Sequence, residues 1–176
     1  MQRTSSPAPA ETRRLAIVCT SPHHGNTRRI AEAIAATLGA DLFTPEQALV
    51  ASLASYDLVG FGSGIYFGRH HRTLRQLVDS APALPRAAFL FSTAGLPSLS
   101  ALFHRSLRLH LQRRGCRVVG EFCCAGWDTV GPLVLIGGLN RQRPNERDIE
   151  HAREFANSIV TSLGESRQRH EPCTTG

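Results

Sequence analysis

Apolar positions along this chain alternate between short continuous runs and stripes that recur every third or fourth residue, the signatures of buried strands and amphipathic helices. Residues 15–19, LAIVC, form the first run, and Ile30, Ile34 and Leu38, with Ala31 and Ala35 beside them, form the first stripe. That helix stops at Gly39, and a short second strand follows at 41–43. Thr44-Pro45-Glu46-Gln47 reads as a capping box with proline at the first helical position, opening a short helix that ends before Tyr56. The third strand is 57–62, DLVGFG, whose glycines allow close approach of backbone or ligand. Residues 63–71, SGIYFGRHH, are expected as a loop, and Leu74, Leu77 and Val78 mark a helix that stops before Pro82. A fourth strand, 87–92, runs straight into Thr93-Ala94-Gly95-Leu96-Pro97. The helix after it, from about 98 to 114, carries Leu99, Leu102, Phe103, Leu107 and Leu111 on one side and ends at Gly115. Residues 117–123 are the fifth strand. Residues 124–145 lack periodicity and hold Gly126, Gly131, Gly137 and Gly138, so they read as a long loop of the kind that is usually functional. Asn145 caps a last helix whose Ile149, Ala152, Ala156, Ile159 and Leu163 share a face before Gly164 ends it.

Strands alternating with helices predict an α/β three-layer sandwich, a five-stranded parallel sheet covered on both faces, because each crossover is right-handed. A strand order of 2-1-3-4-5 puts a ligand site at the carboxyl ends of the first and third strands. The loops expected there are 20–27, 63–69, 92–97 and 124–129. At 176 residues the chain suits one domain, here 15–164, with a disordered Ser/Pro/Ala/Arg-rich leader at 1–14 and a flexible polar tail at 165–176. No apolar run reaches bilayer length and the leader lacks a signal-peptide core, so a cytoplasmic address is expected. The five cysteines, Cys19, Cys116, Cys123, Cys124 and Cys173, form neither C-x-x-C nor a zinc spacing, which predicts reduced thiols and no metal site. Of the adjacent pair, one packs inward and the other faces the opposite side of its strand. The net charge is +6, with basic residues gathered between Arg105 and Arg153. That surface either steers an acidic protein partner or anionic lipid, making peripheral membrane contact, or is simply solvated. No nucleic-acid motif accompanies the charge.

Between the first strand and first helix lies Thr20-Ser21-Pro22-His23-His24-Gly25-Asn26-Thr27. Hydroxyls, an amide and a glycine converge there on the free N–H groups and positive dipole end of a helix, so a phosphate is the expected occupant. Gly25 permits close backbone approach, while Ser21, Asn26 and Thr27 add neutral donors. The loop lacks the lysine of a Walker motif and has one glycine where a dinucleotide fingerprint needs three. Gly25 also stands where a phosphatase loop starting at Cys19 would carry its arginine. A terminal phosphomonoester held by neutral donors remains. Three further loops supply what a flat, largely apolar ring with a polar edge requires: Tyr66 and Phe67 after the third strand, Trp127 after the fifth, and glycines at 62, 64, 68, 95 and 126 that let peptides lie against it.

The phosphate loop resembles that of flavodoxins, with His24 where those loops carry threonine and one extra residue before it. FGSGIYFGRHHRTLRQLVD, FLFSTAG, VGEFCCAGWDT and GGLNRQRPNERDIEHAREFA extend the resemblance over residues 15–163, closest to the short-chain group that includes flavodoxin-like protoporphyrinogen oxidase. The resemblance implies a flavodoxin-like fold and flavin mononucleotide (FMN) as cofactor. It implies that Ser21, His24, Gly25, Asn26 and Thr27 hold the phosphate, with His23 beside them. Ser63, Gly64, Ile65, Tyr66, Phe67 and Gly68 would wrap the ring. Ser92, Thr93, Ala94 and Gly95 would meet the ribityl chain or pyrimidine edge, and Trp127 and Asp128 would sit at the rim. A carbonyl near Gly64 would accept from flavin N5–H. No side chain need act as acid or base, though His70 and His71 could deliver a proton or meet an anionic substrate. Three functions remain open: an electron carrier between protein partners, an oxidoreductase acting on a quinone or porphyrinogen-type small molecule, and a flavin-free interaction module that keeps the fold.

Overall fold

Leu15–Thr20 (β1) is buried from Leu15 to Cys19 and pairs in parallel with both Asp41–Phe43 (β2) and Leu58–Tyr66 (β3). The computed structural model describes residues 13–22, 25–127 and 140–168, with side chains described to Leu163. His23, His24, Asp128, most of the leader, the middle of the 124–145 segment and the end of the tail lie outside the described residues. The sheet continues from β3 to Ala87–Ala94 (β5) and Arg117–Ala125 (β6), giving the order β2-β1-β3-β5-β6. This is the predicted parallel order with one addition, a two-residue strand Arg69–His70 (β4) that turns back antiparallel on β3.

Asn26–Leu38 (α1) and Glu146–Gln168 (α5) cover one face, packing Ile30, Ile34, Ile149, Ala152 and Ile159 against Ile17, Phe89 and Phe91. Pro45–Val50 (α2), Arg72–Ser80 (α3) and Ser100–Arg113 (α4) cover the other, packing Ala48, Leu74, Leu77, Leu107 and Leu111 against Val18, Phe61 and Leu90. The capping box at Thr44 is formed in full, with Gln47 N–H donating to the threonine hydroxyl and the Gln47 side chain accepting from Thr44 N–H. Asn145 and Asp148 make the same reciprocal arrangement at the start of α5. Gly39 closes α1 in the left-handed conformation at φ 60°.

Four details differ from expectation. Residues 63–66 are strand rather than loop, because β4 pairs with Ile65 and Tyr66 and carries the ladder on, leaving Phe67 and Gly68 as a tight two-residue turn. The glycines of β3 serve packing: a Cβ at Gly60 would lie 2.4 Å from the Phe89 ring, and one at Gly62 would lie 2.0 Å from the Phe91 ring. α5 does not stop at Gly164 but continues to Gln168, since glycine alone costs a helix about 1 kcal/mol and no proline follows it closely. α4 is also rotated from its predicted face. Leu99 and Leu102 are exposed, and His104, Leu107 and Leu111 point inward.

Candidate functional site

The chain changes character at the carboxyl edge of the sheet. Thr20, Ser63, Ser92 and Cys123 lie in register across β1, β3, β5 and β6, on the α2–α3–α4 face, where β1, β3 and β5 have been apolar up to that point. A second row on the other face includes Thr93, next to Cys124 of β6. The loops above these rows are the ones expected to hold a ligand.

At the first loop, Gly25 takes the left-handed conformation, φ 66° and ψ 12°, and stands as N-cap of α1. Among the described residues no side chain caps this helix, and its first turn holds Arg28 and Arg29 and no acid. Its N–H groups and positive dipole end therefore face the space beyond β1 without a built-in anion. Arg28 pairs with Glu32 at 2.7 Å and Arg29 donates to the Pro144 carbonyl at 2.9 Å, so both guanidiniums are anchored along the helix. Ser21 is half-buried beside this end.

Two of the predicted phosphate donors have partners elsewhere. Asn26 Nδ2 donates to the Trp127 carbonyl at 2.8 Å, and Thr27, fully buried, shares a 2.8 Å hydrogen bond with Thr93. These contacts tie the first loop to the ends of β5 and β6. Gly126 is required between them, because a Cβ there would lie 2.9 Å from Thr93 Cβ. Gly126 N–H donates to Ala94 O, Trp127 N–H to Arg143 O, and Asn140 Nδ2 to Gly95 O, each within 2.9–3.0 Å. The structure thus brings Gly25, Asn26, Thr27, Thr93, Ala94, Gly95 and Trp127 into one connected set.

The hairpin after β3 forms the opposite wall. Phe67 and Gly68 both have positive φ, 49° and 75°, as the two-residue turn that matches strand twist demands. Glycine adopts this freely; phenylalanine does so at a cost, and here it is 92% exposed. The Tyr66 ring lies over Gly64, where a Cβ would be 3.1 Å from it, and meets His71 edge to face. Ile65 is half-buried on the paired strand.

Ser63 and Ser92 are not brought to the surface. The Ser63 hydroxyl lies 2.9 Å from the Gly64 carbonyl and 2.9 Å from His70 Nδ1, and accepts from His71 N–H. Ser92 lies 2.7 Å from His104 Nε2, whose Nδ1 faces Glu121 at 3.3 Å, and Glu121 in turn pairs with Arg108. The two imidazoles stack with centroids 4.9 Å apart. His70, expected on a loop, is buried on β4, and burial first, then the charges of His104 and Arg75, hold it well below 6.5. Burial also lowers His104, against the opposing pull of Glu121. Sequence reasoning missed His104, although it stands on the same helical face as Leu107 and Leu111.

The four described thiols are poor nucleophiles. Burial pushes Cys19 up to about 12 and Cys116 to about 11, and raises Cys123 and Cys124 as well. Cys124 packs with the α1–α5 core while Cys123 takes the opposite face, as predicted for the pair. No group of acids, histidines and cysteines among the described residues could hold a metal ion. No helix among them is long and apolar enough to cross a membrane.

Residues 17–101 match the family model described as a flavodoxin domain. The chain is 46% identical over 144 residues to an uncharacterized protein of Methanocaldococcus jannaschii, a match spanning 82% of this chain and 96% of that protein. In architecture it is similar to a flavodoxin from the domain Archaea, with a TM-score of 0.60 and 15% identity over 85% of this chain and 99% of the other. Oxidised flavodoxin 2 from Bacillus cereus gives 0.56 and 18%, again over 85% and 99%. At such identities these two structures speak for the fold alone.

Proposed function

The chain belongs to the flavodoxin family, and on that footing we propose that it binds FMN at the carboxyl edge of the sheet and passes electrons through it. The observation that carries this reading is the α1 N-terminus, free of side-chain caps and acids among the described residues and opened by a left-handed Gly25, with Tyr66 and Phe67 on the β3–β4 hairpin and Trp127 after β6. These residues fit the cofactor. The phosphate would rest on the N–H groups of Asn26, Thr27 and Arg28 with the Ser21 hydroxyl, while the Asn26 and Thr27 side chains fix the loop that presents them. Backbone from Thr93 to Gly95 and the segment at Gly126 and Trp127 would border the ring, and the 66–68 hairpin would cover it.

When bound, FMN supplies one- and two-electron chemistry; the protein supplies binding, orientation and exclusion of water. The Ser63 hydroxyl has a particular part in this. Its single proton can go to the Gly64 carbonyl or to His70 Nδ1, so a ligand donor arriving at Gly64 O would turn that proton toward the imidazole. The exposed Phe67 at a strained position supports the hairpin as the surface through which a redox partner or small acceptor would gain access.

The test is a pair of fluorescence titrations, FMN against riboflavin, with a Ser21→Asp variant beside the parent chain. A site built on the phosphate predicts FMN binding at least ~100-fold tighter than riboflavin, about 2.7 kcal/mol, and loss of that margin in the variant. Equal affinity for the two ligands would remove the α1 phosphate site. No binding of either would remove the flavin reading.

A further inference from the structure

A cavity of about 550 Å³ opens at the β3–β4 hairpin, lined by Tyr66, Phe67, His70 and His71. Arg69, Arg72 and Arg75 supply its charge, no carboxylate lines it, and none of the three pairs with a carboxylate among the described residues. Two buried nitrogens there lack partners. One is Arg75 Nε; the other is Nε2 of His70, a residue only 2% exposed. Both atoms are enclosed by protein, so an anion in the cavity would meet the outer guanidinium N–H groups of the three arginines.

The geometry points to a binding site for a second small molecule, an organic oxyanion with a flat apolar frame, held by Arg69, Arg72 and Arg75 against the Tyr66 and Phe67 rings. α3 begins at Arg72 and adds the positive end of its dipole. Carboxylate and phosphate share the chemistry this requires, and a guanidinium grips either through paired N–H donors. Binding of the anion stands on its own; that the molecule exchanges electrons with flavin across the hairpin rests on the function proposed above.

The probes are benzoate and inorganic phosphate, each titrated into the full chain against sodium chloride of matched ionic strength. The readout is the imidazole 15N resonance of His70, identified by its loss in His70→Gln. The expected result is a saturable shift, weakened at least tenfold in an Arg72→Gln/Arg75→Gln variant whose thermal midpoint and FMN titration are unchanged. Saturation by benzoate alone assigns a carboxylate on a flat frame; by phosphate alone, a phosphoryl group. No saturable shift beyond the chloride control overturns the site, as does displacement of the probe by FMN, which would make the cavity part of the flavin site. A chain that binds the probe and not FMN keeps the anion site and loses the flavin reading.

Discussion

The two faces of the sheet begin alike and end differently. On the α1–α5 face the core stays apolar almost to the carboxyl edge, through Phe89, Phe91 and Cys124, and closes with the neutral Thr27–Thr93 pair. On the α2–α3–α4 face the same strands end in Ser63 and Ser92, backed by a stacked pair of buried histidines and the Glu121–Arg108 ion pair. Apolar burial tolerates any pH, whereas a buried imidazole must stay neutral or open the structure. One face is therefore built to hold the loops still, and the other places titratable groups one layer beneath them.

The largest expected effect lies on the apolar face. Phe91→Ala should cost about 3–5 kcal/mol in chemical denaturation, and Gly62→Ala about 3 kcal/mol because its methyl enters the Phe91 ring. The double variant should cost clearly less than the sum, since removing the ring makes the room the methyl needs. Additive losses would show that the two positions do not share that space.

Acid should then separate the faces. His70 and His104 have folded-state values below 6.5, so the unfolded chain binds more protons as pH drops from about 6.5, and stability present above that value falls. The slope should approach about 1.4 kcal/mol per pH unit for each histidine that stays neutral. Measured between pH 7 and 5, it should shrink in His104→Leu and persist in Phe91→Ala.

Gly126→Ala sharpens the comparison at the loops. The added methyl meets Thr93 and the Asn26 amide, so a loss of about 1–3 kcal/mol and roughly tenfold weaker FMN binding are expected from denaturation and titration. The smallest effect belongs to the hairpin: Phe67→Asn should gain up to about 1 kcal/mol, since asparagine tolerates φ 49° better, while weakening flavin binding.

Much of this was legible in the sequence. The apolar runs and the capping residues Thr44 and Asn145 marked most elements, and the β-α-β alternation carried the sheet order. The hairpin was not, because Phe67-Gly68 is no ordinary turn pair and the strand hides its polar end in Ser63. α4 misled for a related reason: its leucines outnumber its buried positions, and the residue that turns inward is the polar His104. At the proposed site, residue type pointed to the α1 N-terminus but not to how its groups divide. Asn26 and Thr27 hold neighbouring loops with their side chains, so in the proposed site recognition would fall to backbone N–H groups that no sequence displays.

The central claim is that the first turn of α1 takes the flavin phosphate. Backbone amide NMR with FMN and with riboflavin tests it directly. The prediction is large, saturable shifts at Asn26, Thr27 and Arg28 with FMN and far smaller ones there with riboflavin. Equal shifts with both ligands, or FMN shifts confined to the arginine-lined cavity at Arg72 and Arg75, would contradict it.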